Sequence, residues 1–155
     1  MAADETREAI RRMMLASARI DGAYYIYARR RGIRENTLDL LYALDDGEPH
    51  TQAQLCADWL IPKTTINTGV RELRQAGLAE FQASPKGREK ALRLTEAGRA
   101  FAREALAQMY AVERRAMEAT LKRYPHAFVD AMEFFAGALC EGFEQARDAP
   151  QGAKE

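Results

Sequence analysis

The chain has 155 residues, 47% hydrophobic and 30% charged, with 23 basic against 23 acidic side chains. That balance excludes an intrinsically disordered chain, and the lack of any apolar run of about 18 residues excludes a membrane-spanning helix. The charged start, Met1 to Arg12, lacks the apolar core of an export signal, so a cytoplasmic protein is expected.

The two cysteines, Cys56 and Cys140, lie in neither a CxxC nor a His-rich setting, so inert thiols are expected and no metal or cofactor. His50 and His126 are the only histidines, and neither a Gly-rich phosphate loop nor a nucleophile motif is present. An enzyme is therefore not expected. Zero net charge hides a local excess. Between Ile61 and Arg99, eight basic residues (Lys63, Arg71, Arg74, Lys86, Arg88, Lys90, Arg93, Arg99) face four acidic ones (Glu72, Glu80, Glu89, Glu96), leaving +4. A basic segment of this kind is what phosphate binding requires.

In chain order, Ile10, Met13 or Met14, Ser17, Ile20, Tyr24 and Tyr27 recur at steps of three and four, which predicts a long first helix ending at Gly32. A second helix follows, with Asn36 as its cap and Leu38, Leu41, Tyr42 and Leu44 facing inward. Asp45 to Pro49, with His50 beside it, reads as a turn. Thr51 is placed to cap a short helix, Gln52 to Trp59, with Leu55, Cys56 and Trp59 apolar. Pro62 then suits the first turn of another helix, running to Gln75 with Ile66, Val70 and Leu73 on its buried side. Gly77 is free to take the left-handed conformation that ends it. Two short helices joined by a tight break outline a helix-turn-helix.

Leu78 to Ala83 and Lys90 to Leu94 form a two-stranded hairpin with a polar, basic tip at residues 84–89. Thr95 opens a long helix to about Lys122, Tyr124-Pro125 interrupts, and a last helix runs from about Pro125 to Arg147. The expected fold is mainly α with a small two-stranded β wing. Its parts are an N-terminal dimerisation helix (1–34), a winged helix-turn-helix (35–99), C-terminal dimerisation helices (100–147) and a frayed tail (148–155).

The stretches Leu73-Arg74-Gln75-Ala76-Gly77-Leu78 and Leu94-Thr95-Glu96-Ala97-Gly98, in this order around a hairpin, resemble the MarR family of transcription regulators. The similarity extends over about residues 10 to 145. It implies a homodimeric DNA-binding repressor with a winged helix-turn-helix, and a small, often aromatic, effector bound between the dimer helices and the winged domain. Two departures stand out. The family's Asp-x-Arg wing tripeptide is here Lys86-Gly87-Arg88, and Thr68 beside Gly69 stands where many relatives carry an arginine.

With Ile66, Val70 and Leu73 buried, the recognition helix would present Lys63, Thr64, Asn67, Thr68 and Arg71, with Thr65 at the edge. Asn67 suits adenine, threonine methyls suit thymine, and Lys63 and Arg71 suit phosphates. Lys86, Arg88 and Lys90 would carry the wing into a minor groove. Tyr24, Tyr27, Tyr42 and Trp59 are the candidate effector contacts. Ile10, Met14, Phe128, Met132, Phe135 and Leu139 are the candidate dimer contacts, setting two recognition helices about 34 Å apart on a palindrome. The competing reading is a winged helix used for protein contact, with weak or no specific DNA binding.

Overall fold

The computed structural model describes residues 3–83 and 89–148. The expected wing tip, with Lys86 and Arg88, and the expected tail beyond Asp148 lie outside the described residues. The chain divides into two units, one up to Tyr110 and one from Ala111 onward.

The first unit opens with α1 (Ala3–Arg30), whose acidic first turn and basic last turn complement the helix dipole. Gly32 ends it at φ +67, and the Ile33 amide donates back to the Ala28 carbonyl at 3.0 Å. Helix α2 (Glu35–Leu44) follows and buries Leu38, Leu40, Leu41, Ala43 and Leu44. Its start corrects the sequence expectation. Asn36 lies inside the helix, and the cap position is Arg34, whose guanidinium pairs with Glu72 instead of capping. Tyr42, expected inward, is 37% exposed because its ring turns toward Trp59 and Tyr110 rather than into the leucine cluster.

The turn after α2 occupies residues 45–49, as expected, but His50 beside it is not part of it. His50–Thr51 form a strand, β1, which pairs antiparallel with the second wing strand. Thr51 then caps α3 (Gln52–Asp58): its hydroxyl accepts from the Gln54 amide while the Gln54 side chain accepts from the Thr51 amide. Trp59 is the residue after α3 rather than part of its buried face, and it is 41% exposed. Helix α4 (Lys63–Gln75) begins after Pro62, which sits at the cap rather than in the first turn. Strands β2 (Ala79–Ala83) and β3 (Lys90–Leu94) pair Ala79 with Leu94 through to Ala83 with Lys90.

The sheet is therefore three-stranded, in the order β1-β3-β2, and not a lone hairpin. The extra strand supplies partners for the otherwise open edge of β3. Helix α5 (Glu96–Leu121) contributes Ala102, Ala105, Leu106 and Met109 to the core, where they meet Leu38, Leu41, Leu55, Ile66, Leu73 and Leu92.

The second unit holds the end of α5 and α6 (Ala127–Asp148). None of its described residues is buried. Phe128 and Phe135 are half-buried, Met132 and Leu139 are exposed, and Phe134 and Phe143 are 80% and 68% exposed.

Candidate nucleic-acid interface

Helix α4 is built to show one face. Ile66, Val70 and Leu73 fall four and three residues apart and are all buried, with Gly69 between them. Gly69 is required by contact: a Cβ there would stand 2.4 Å from Leu40 Cδ1, so α4 can approach α2 this closely only without a side chain. The other face carries Lys63, Thr64, Asn67, Thr68 and Arg71, all exposed, with half-buried Thr65 at the margin.

Two of these polar groups are held. Gln52 Nε2 of α3 donates to Asn67 Oδ1 at 3.0 Å, which fixes the amide and leaves its NH2 outward. The Thr68 hydroxyl donates to the Thr64 carbonyl, leaving its methyl outward. Gln52 is a positioning residue that sequence reasoning missed, since nothing local marks a bond across the break between the two helices. Leu60, in that break, has φ 49 and is 72% exposed.

Several of the basic residues have structural partners. Arg93 bonds Glu80 across the β2–β3 pair, Arg74 stacks over the Phe81 ring, and Arg99 donates to the Leu94 carbonyl. Lys63 and Lys90 come together on one groove of about 740 Å³, with Thr51, Gln52, Cys56 and Phe81 also in its wall.

The end of α4 is tied to the start of α5 by one threonine. Gly77 takes φ +70 and the Leu78 amide returns to the Leu73 carbonyl at 2.8 Å. The Thr95 hydroxyl donates to the Gly77 carbonyl at 2.7 Å and accepts from the Gly98 amide at 3.0 Å, while the Thr95 amide donates to the Leu78 carbonyl. Gly98 lies so close that a Cβ there would stand 1.8 Å from the Leu78 carbonyl oxygen. This is the physical content of the Leu-Thr-x-x-Gly segment: a cap, a tie and a close backbone approach.

Residues 31–88 match the MarR family. Over this segment the chain is similar to that family. The fold likeness runs further along the chain. A MarR family regulator from Neisseria meningitidis superposes with a TM-score of 0.67 at 21% identity, covering 92% of this chain and 95% of that one. The transcription regulator MarR from Oenococcus oeni gives 0.67 at 17%, covering 84% and 97%. A MarR family transcriptional regulator from Silicibacter pomeroyi gives 0.66 at 22%, covering 82% and 92%. None of the curated proteins matches.

Within the first unit, three of the four candidate effector residues converge. Tyr24, Tyr42 and Trp59 line a cavity of about 260 Å³ with Leu38, Met109 and Asp39. Trp59 and Tyr42 meet edge to face at 5.5 Å. Tyr27 does not line it; its hydroxyl donates to the Ala105 carbonyl at 2.6 Å, tying α1 to α5. Asp39 was not foreseen. Burial, and secondarily the charge of Glu35 one turn earlier, pushes its carboxyl up to about 6. Among the described residues no group of three or more His, Cys, Asp or Glu could hold a metal ion, and no helix is long and apolar enough to cross a membrane.

Proposed function

We propose that this chain is a homodimeric transcriptional repressor that reads a palindromic operator, with α4 in the major groove and the wing in the minor groove. The observation that carries the reading is the two-sided α4 of a MarR-family winged helix. Its inner side is closed by Ile66, Gly69, Val70 and Leu73, and its outer side is wholly polar and basic. Residues 35–99 would bind DNA, and residues 1–34 and 100–147 would pair two copies. Asn67, steadied by Gln52, is the base-reading residue, with Thr64, Thr65 and Thr68 for thymine methyls. Lys63, Arg71 and Lys90 take phosphates, and Lys86 and Arg88 belong to the wing. The apolar surface on α1 (Ile10, Met14) and on α6 (Met132, Leu139, with Phe128 and Phe135) supports pairing. Phe143, four residues beyond Leu139, extends that stripe. The cavity at Tyr24, Tyr42 and Trp59 supports release by a small effector that prefers the DNA-incompetent dimer.

The test is selection of genomic fragments by the purified protein at moderate and high salt, read by sequencing. A palindrome is expected, enriched at moderate salt and weakened steeply at high salt. Asn67→Ala should relax base preference at one position by about 1–3 kcal/mol, whereas Arg71→Ala should weaken all sequences alike. Weak binding without sequence preference would instead favour a protein-contact module. Sedimentation of a monomer at micromolar concentration would remove the dimer.

A further inference from the structure

We infer that the cavity between α1, α2 and the α3–α4 break takes a small organic cation, its charge on Asp39 and its body against Tyr24, Tyr42 and Trp59. This rests on the effector reading above and names the chemistry that the site would accept.

The cavity wall is formed by Tyr24, Leu38, Asp39, Tyr42, Trp59 and Met109. Among the described residues its one charged group is acidic, and no Lys, Arg or His shares the wall. An anionic ligand would meet the Asp39 carboxylate with nothing to offset it. A cation meets the opposite field. The carboxylate attracts it, and the ring faces, negative at their centres, do the same from the sides. Tyr42 and Trp59 stand with interplanar angle 81°, which sets two ring planes nearly at right angles around one corner of the space. Met109 and Leu38 close the remainder with apolar surface.

Asp39 itself points the same way. It is half-buried in the wall of the cavity, one turn from the like charge of Glu35. A carboxylate drawn into apolar surroundings is unfavourable unless a cation joins it. Burial, and after it the charge of Glu35, raises its pKa, and a bound cation would relieve both. The volume, about 260 Å³, fits a ligand with a single ring.

The test uses the full-length protein and three probes of one shape class: benzyltrimethylammonium, its uncharged isostere neopentylbenzene, and benzoate. Trp59 is the only tryptophan in the chain, so its fluorescence reports the cavity directly, and calorimetry gives an independent affinity. At about pH 7.5, where Asp39 is ionised, the ammonium should bind about tenfold or more tighter than either comparator. In Asp39→Asn that preference should vanish, while neopentylbenzene binds as before. The variant removes an unfavourably buried charge and keeps the shape, so it should fold, as circular dichroism will check. Should it not fold, the wild-type ranking of the three probes decides alone. Binding of benzoate or neopentylbenzene as tight as that of the ammonium overturns the cation assignment and leaves the effector pocket standing. No response of Trp59 and no heat with any probe overturns both.

Discussion

The two units of this chain differ in what they do with their apolar residues. Up to Tyr110, leucines, alanines and one methionine are gathered around Leu41, Leu92 and Leu106, none of which is measurably accessible. From Ala111 onward no described residue is buried, and Val112, Met117, Leu121, Phe134 and Phe143 are all at least 40% exposed. The first holds a buried core and the second exposes apolar surface, which the proposed dimer would cover. Substitutions in the first should therefore act on folding, and substitutions in the second on association.

The largest effect is expected at Gly98. A methyl there must displace the Leu78 backbone, so Gly98→Ala should lower stability by roughly 3 kcal/mol or more, measured by urea denaturation. On the association side, Phe143→Ser should leave the denaturation midpoint of the first unit in place. It should weaken the proposed dimer by about 2 kcal/mol, read as a rise in dissociation constant by sedimentation. An unchanged constant would mean that the exposed stripe of α6 is not the pairing surface. Gly69→Ala comes next: Ala is the better helix former, yet Leu40 must move, so a net loss of about 1–2 kcal/mol is expected.

Asp39 gives a pH signature confined to the first unit. Its pKa is about 6 when folded against an ordinary 3.8, so the folded chain holds this proton more tightly than the unfolded chain. The group therefore favours folding at low pH. Its contribution declines as pH rises from about 4 to about 6 and stays unfavourable above. The groups around it are Glu35 and Tyr42 on its own helix, Tyr24 from α1 and Trp59 beyond α3. Asp39→Asn should flatten the slope and raise stability at neutral pH by on the order of 1 kcal/mol, allowing for solvent screening. Leu60→Gly is the smallest change, a gain of about 0.5–1 kcal/mol from relieving a left-handed leucine.

What the sequence made legible was whatever is periodic or punctuated. Ile66, Val70 and Leu73 marked the inner side of α4, Gly32 and Gly77 marked helix ends, and both wing strands lie within a residue of their expected starts. The alternation along residues 78–94 sufficed for the wing even with weak strand formers, because cross-strand partners hold them in place. β1 was not legible, since two residues have no period and Thr51 was already accounted for as a cap. Trp59 and Tyr42 read both as inward apolar positions of their helices and as candidate effector contacts; they stand at an element end and a helix flank, where they line a cavity. Asp39 drew no expectation, because the residues that surround it, Tyr24, Trp59 and Met109, come from three other parts of the chain. Phe143 could have been found by continuing the stripe from Leu139 by one more step of four.

The two residues of β1 also bear on how the molecule folds. Pairing His50 with Leu92 closes a loop that contains the whole helix-turn-helix and the wing. Bringing those ends together costs about 3 kcal/mol of chain entropy before any contact is gained. A ladder this short cannot offset that alone, so it forms only once α4 has docked on α2 and β2 has found β3. Amide exchange along β1 should accordingly follow the opening of the entire reading segment, making this smallest element the slow-folding latch on the part of the chain that would meet DNA.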